Sequence, residues 1–216
     1  MILEKVVTIR NTKQKIFDSV RNFIIDPSLP PGSKIDEAFL AESLGVSKTP
    51  IREALSVLAA EGIVEIKPNR GSFKVKLTDQ DITEIMLIRE SLEGMCMRLA
   101  AENMKDDVIK ELVALLDEFE AKDFEREYQS YIETNIKFYE IIYRTAKSPR
   151  LINLIQSMRD LTQMIRLNYM KKPDNVRYSL NAHRELIDAF KRKHPKLAEG
   201  IRKKMLRYGY HYQMSK

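Results

Sequence analysis

The sequence predicts a mainly α protein in two parts: three helices closed by a β-hairpin, then an all-α helical bundle. Three observations predict it. Apolar residues recur at helical spacing along most of the chain, period-2 alternation is confined to residues 63–77, and only seven glycines occur in 216 residues, too few for a turn-rich all-β architecture. A chain of this length can bury two cores. The boundary is read where the alternation stops, giving residues 1–77 and 78–216.

From Thr12 the residues Ile16, Val20, Phe23 and Ile24 mark the first helix, which stops at DPSLPPG, where three prolines and a glycine forbid continuation. Asp36 can cap a short second helix carrying Phe39, Leu40 and Leu44 and ending at Gly45. Ser47 then offers a fresh N-cap for a third helix over Lys48 to Ala60, with Pro50 in its first turn, where the missing N–H costs nothing. Ile51, Ala54, Leu55 and Leu58 form one face of that helix, and Lys48, Arg52 and Ser56 line another. Glu61-Gly62 breaks it; IVEIK alternates as a strand, PNRG turns and SFKVKL alternates again.

Beyond Leu77 the pattern is helical to the end. The expected helices are 79–103, 106–122, 124–146, 149–171, 175–193 and 195–212, with breaks at Lys105-Asp106, Asp123, Ser148-Pro149, Lys172-Pro173 and His194-Pro195. His194 and His211 read as surface residues, and RKKMLRYGYHYQMSK as an amphipathic terminal helix with a polar tail.

Composition narrows the function classes. The net charge of +6 permits nucleic acid without requiring it, because basic and acidic residues are interspersed. One cysteine, Cys96, allows no intramolecular disulfide and no thiolate-rich metal site, which fits a reducing cytoplasm. MILEKVVTIR is too short and charged for a signal peptide, and no apolar run approaches the ~20 residues that span a bilayer. Three scattered histidines, one cysteine and no glycine-rich phosphate loop leave an enzyme without a nucleophile-base pair or ligand cluster. The expectation is a cytoplasmic protein with no membrane partner and no catalytic residues. A ligand-independent architectural DNA binder is the remaining rival.

Helix, turn, helix and basic hairpin in this order make a winged helix-turn-helix, whose later helix enters the major groove while the hairpin reaches backbone or minor groove. The segment from PPGSK through GVSKTPIREAL to EGIVEIKPNRGSFKV resembles the N-terminal domain of the GntR family. The free N–H groups at the start of the third helix, with the hydroxyls of Ser47 and Thr49, can hold a phosphate. Lys48 and Arg52 project from the exposed face, and an arginine there can fork guanine O6 and N7. Arg70 at the wing tip faces phosphate or minor groove, and Gly71 supplies positive-φ turn geometry. Read singly, Arg52 is also compatible with a solvated helix face, Ser47 with a cap and PNRG with a plain turn. Where the family often carries an arginine early in the second helix, this chain has Ala38, which puts more weight on the third helix and the wing. Lys74, in the second wing strand, serves as a comparison position for Arg52.

The segment DQDITEIMLIRESLEGMCMRLAAENM, with Arg89, Leu92 and Glu93, resembles the opening helix of the FCD-type ligand-binding domain of the FadR-like subfamily; NIKFYEIIYRTAKSPRL, NAHRELIDAF and HPKLAEGIRKKML resemble its later helices. The resemblance implies an aspartate and three histidines holding a divalent metal that helps bind a carboxylate. Here those positions are Asn135, Tyr139, His183 and Met205, or Tyr208 in place of Met205 if the match slips. Amide, phenol, imidazole and thioether make a poor hard-cation site, so no tightly held metal or other cofactor is expected. The positions can still line an effector pocket, with Arg89 pairing an anionic effector; the alternatives are a satisfied buried His183, a core Tyr139 and an Arg89 paired to a glutamate. The resemblance implies a homodimeric regulator, by default a repressor, that binds a pseudo-palindromic duplex operator under control of a small-molecule effector, expected to be a carboxylate.

Overall fold

A computed structural model of the chain describes residues 2–120, 128–166 and 172–214. The chain divides into two compact units, Met1–Thr78 and Asp79–Lys216.

The first unit contains α1 (Ile2–Ile25), α2 (Glu37–Ser43), α3 (Lys48–Ala60), β1 (Val64–Lys67) and β2 (Gly71–Lys74). Helix α1 begins well before the Thr12 read from the apolar pattern. Asp36 caps α2 by accepting from the Ala38 and Phe39 N–H groups, and Gly45, at φ 64°, ends the turn beyond it. Ile51, Ala54, Leu55 and Leu58 of α3 are buried with Val20 and Ile24 of α1. The strands pair antiparallel, with Val64 opposite Lys74 and Lys67 opposite Gly71.

Two features of the wing lie outside the hairpin pattern. Residues 33–35 run alongside β2, with the Ile35 N–H donating to the Ser72 carbonyl at 2.8 Å and the Lys74 N–H to the Ser33 carbonyl at 2.9 Å. The inward face of β2 is Ser72 and Lys74 rather than Phe73. Lys74 Nζ donates to the carbonyls of Asp26 and Leu29, each at 2.9 Å, tying the segment after α1 to the wing. Lys74 is therefore a structural residue and no control for Arg52; the exposed Lys76 takes that role.

The second unit consists, among the described residues, of α4 (Asp79–Asn103), α5 (Asp106–Glu120), α6 (Tyr128–Ala146), α7 (Pro149–Ser157), α8 (Arg159–Arg166), α9 (Pro173–Lys191) and α10 (Pro195–Met214). Helix α4 is central: α10, α6, α7 and α8 all pack on it. Met97, Leu112, Phe119, Tyr131, Phe138 and Phe190 fill the core. The single helix read over 149–171 is two helices. At Met158 the N–H turns back to the Ile155 carbonyl, three residues away, and the backbone leaves helical geometry at φ −96°, ψ 3°. Each half packs on α4, and no glycine or proline announces the break. The break read at Asp123 lies outside the described residues.

Candidate nucleic-acid interface and ligand pocket

Helix α3 presents Ser47, Lys48, Thr49 and Arg52 to solvent. Ser47 is the N-cap, yet its side chain makes no cap hydrogen bond, and the first turn carries no acidic residue. The first N–H groups and two hydroxyls thus meet an anion without competition from a carboxylate. Arg52 is 67% exposed, and its Nε donates to Glu37 Oε2 at 2.8 Å, with Glu37 only 21% exposed on α2. Bonded through Nε, the guanidinium keeps its outer edge, the two terminal nitrogens, available to fork a base. The neighbouring Glu53 is occupied by Lys13 at 3.0 Å. Glu37 was absent from the sequence reading because the pair depends on how α2 crosses α3.

The wing tip is a tight turn in which the Arg70 N–H donates to the Lys67 carbonyl at 3.0 Å. Pro68 sits at its second position and Asn69, at φ 59°, at its third, the arrangement a type II turn requires. Gly71 follows at φ 98°, and a Cβ there would lie 3.3 Å from Lys34 Cε. Arg70 is exposed at the end of this turn.

In the second unit the structure brings Tyr139, His183 and Met205 together. His183 Nε2 and Tyr139 Oη are 3.2 Å apart, and Tyr139 Oη lies 3.7 Å from Met205 Sδ. Tyr208 instead stacks on Tyr178, centroids 3.8 Å apart, so Met205 is the residue that joins this set. Asn135, one turn before Tyr139, is 5% exposed, and its Oδ1 has no hydrogen-bond partner.

At the centre stand two residues the sequence reading did not assign to the pocket. Arg202 of α10 donates to Tyr139 Oη and lies over its ring, 4.0 Å from the centroid. Its Nε donates to Glu93 Oε2 at 2.8 Å, and a terminal nitrogen reaches the same oxygen. Arg89 meets the other carboxylate oxygen, Oε1, at 2.7 Å, and Tyr143 Oη donates to Oε2 at 3.2 Å. Arg89 and Arg202 are each 5% exposed and Glu93 2%. Burial by itself raises the Glu93 carboxyl, but Arg202 and Arg89 hold it down to about 2. Burial, then the Glu93 charge, pushes the Tyr143 phenol up and the Cys96 thiol up to about 12, so Cys96 stays protonated and inert. A signal for Arg202 existed in its spacing, since it lies four residues beyond Ala198 and three before Met205 on the apolar face of α10.

Two clefts flank this cluster and share Arg89, Asn135 and Arg202. One, about 530 Å³ including space open to solvent, is bounded also by Met86, Ser179 and Met205 and has no acidic lining residue among the described residues. The other, about 580 Å³ on the same basis, carries Glu93 and Glu140.

The donor set does not fit a divalent metal. No three His, Cys, Asp or Glu side chains gather among the described residues. Arg202 also places a positive charge on the phenol oxygen that a metal would have to coordinate. No helix among the described residues is long and apolar enough to cross a membrane.

Comparison with known proteins gives a consistent picture. Residues 12–73 match the family described as bacterial regulatory proteins, gntR family, and residues 84–207 match the FCD domain. The HTH-type transcriptional regulator YdhC of Bacillus subtilis (strain 168) is 28% identical over 186 residues, 86% of this chain and 83% of that protein. A Paenarthrobacter nicotinovorans protein named "Probable D-xylose utilization operon transcriptional repressor" is 28% identical over 197 residues, 88% of this chain and 85% of its own. Among solved structures, E. coli McbR/YncC shares the fold, with a TM-score of 0.79 at 23% identity over 94% of this chain and 97% of that one.

Proposed function

We propose a mode of action from one premise: the chain belongs to the GntR family of transcriptional regulators, a winged helix-turn-helix followed by an FCD domain. It is a DNA-binding regulator and not an enzyme. In our reading it is a cytoplasmic homodimer that places two copies of α3 in successive major grooves of a pseudo-palindromic operator and represses transcription.

The observation that carries the DNA reading is Arg52, exposed on α3 and held through Nε by Glu37. Arg52 reads a guanine with its free edge, while Ser47, Lys48, Thr49 and the start of α3 seat a phosphate that sets register. Arg70, carried by the Asn69–Gly71 turn, reaches the minor groove or the backbone beside it. The FCD unit binds a small effector beside Arg89 and Asn135, which line both clefts, with Met205 lining one and Tyr139 the other; His183 lines neither and sits behind them against Tyr139. The effector, a carboxylate, shifts the dimer between operator-competent and incompetent spacings, by no more than its difference in affinity for the two.

The test is a mobility-shift comparison of Arg52→Ala and Lys76→Ala on operator and random DNA. Arg52→Ala is expected to lose about 1–3 kcal/mol of discrimination. Lys76→Ala should weaken both complexes alike, as a phosphate contact does. Equal loss of discrimination in the two variants removes Arg52 from base reading.

A further inference from the structure

Helix α4 packs against α10, α6, α7 and α8, yet it turns three large apolar side chains to solvent. Leu87 is 61% exposed, Ile88 43% and Met95 44%. Gln80, Glu84, Ser91 and Glu102 are exposed on the same side, and Arg98 partly so. At 3.6 residues per turn all eight fall within an arc of about 100°, a straight stripe along the helix with its apolar residues in the middle and its charges towards the ends. A contiguous apolar strip rimmed by charge marks an interaction surface.

We propose that this stripe is the seam between two copies of the chain, in which two α4 helices cross antiparallel with Ser91 on the two-fold axis. This rests on the homodimer reading above and names its surface and register. A two-fold interface presents the same patch from both copies, so the stripe has to complement itself. Antiparallel helices centred on Ser91 set residues equidistant from it against each other. Leu87 then meets Met95 of the second copy, Glu84 meets Arg98 and Gln80 meets Glu102, each pairing made twice. Ser91, a small residue at the crossing point, lets the two backbones approach closely.

Other arrangements lose this match. A parallel pair sets Glu84 against Glu84 and Arg98 against Arg98, where like charges repel. An antiparallel pair slid by one turn sets Met95 against Gln80 in one direction and Leu87 against Glu102 in the other. Arg98 has two acidic neighbours in its own chain: Glu102 at 3.8 Å, and Glu199 of α10, whose carboxyl is lowered first by Lys203 and also by Arg98. The Glu102 contact is no close fork, and the five N–H donors of a guanidinium leave room for Glu84 of the second copy.

The experiment uses the full chain, whose own Cys96 is buried. Under mild oxidation with oxidised glutathione, Ser91→Cys should convert to a covalent dimer on a non-reducing gel, while the native chain stays unlinked. Leu87→Cys alone should not link, because the antiparallel register sets its two copies about 12 Å apart along the seam, beyond disulfide reach. Mixed with Met95→Cys, it should. Glu84→Arg and Arg98→Glu each place two like-charge pairs in the seam, and sedimentation should show each dimer weakened about tenfold. An equimolar mixture of these two variants restores opposite charges at both positions and should associate as tightly as the native chain. Circular dichroism checks that every variant keeps its helices.

A native chain that sediments as a dimer while Ser91→Cys stays unlinked overturns the seam and leaves the homodimer reading standing. So do charge variants that dimerise like the native chain and show no preference for each other. Linkage of Leu87→Cys by itself overturns the antiparallel register. A native chain that sediments as a monomer at every concentration overturns the seam and the homodimer together.

Discussion

Both units of the molecule pair an arginine with a glutamate from another helix, and the two pairs differ in almost every physical respect. Arg52 and Glu37 meet at the surface of the DNA-reading unit at 2.8 Å, with Arg52 two-thirds exposed. Water and salt screen such a pair, so it contributes little to stability. Arg202, Arg89 and Glu93 meet in the interior of the FCD unit, each 5% exposed or less. There the charges cannot be exchanged for water, so each partner is needed to keep the others tolerable. One pair lies on an exposed helix face, and the other is closed inside the helical unit.

The sharpest way to break this contrast is Glu93→Gln. Loss of the shared carboxylate leaves two guanidinium groups in the interior, and urea denaturation is expected to show about 3–5 kcal/mol of destabilisation. A loss under about 1 kcal/mol would place this cluster in the same class as a surface pair.

Acid titration sharpens the same point. The folded Glu93 carboxyl, held down to about 2, lies below its ordinary value. Its contribution is fully present above the ordinary carboxyl range and is lost as pH falls from there toward 2. Unfolding monitored over that window should therefore show a steep acid limb in the native chain and a flatter one in Glu93→Gln.

In the wing, Gly71→Val puts a branched Cβ at φ 98° and 3.3 Å from Lys34 Cε. The expected cost is about 1–3 kcal/mol, with weaker DNA binding on every sequence because the turn carrying Arg70 is displaced. Thermal unfolding and a mobility shift read the two effects. The smallest change belongs to Glu37→Gln: stability should move by less than about 1 kcal/mol, while operator discrimination falls roughly two- to fivefold, the size of one exposed ion pair. An unchanged discrimination means that Glu37 does not aim Arg52.

How far each unit was legible in the sequence follows the same division. The DNA-reading unit is built from local signals: the Asp36 cap, Gly45 after α2, Pro50 in the first turn of α3 and the PNRG turn all act within a few residues of themselves. Helix α3 accordingly runs over the residues that its pattern marks. In the FCD unit the helices are legible but the buried cluster is only half so. Arg202 sits in the run Arg202-Lys203-Lys204, which by composition looks like a solvated surface, although its spacing puts it on the apolar face. The break at Met158 has no breaker residue, and the helices on either side of it both pack on α4.

The chain's own periodicity and capping residues were enough to determine the mainly α class, the order of elements and the exposed face of α3, because those depend on interactions a few residues apart. Tertiary structure alone decided that Lys74 turns inward, that Glu37 holds Arg52, and that Glu93 and Arg202, 109 positions apart, form one buried cluster. Charges so distant in sequence carry no joint signal along the chain. Only the packing of α10 on α4 brings them into a place where water cannot separate them.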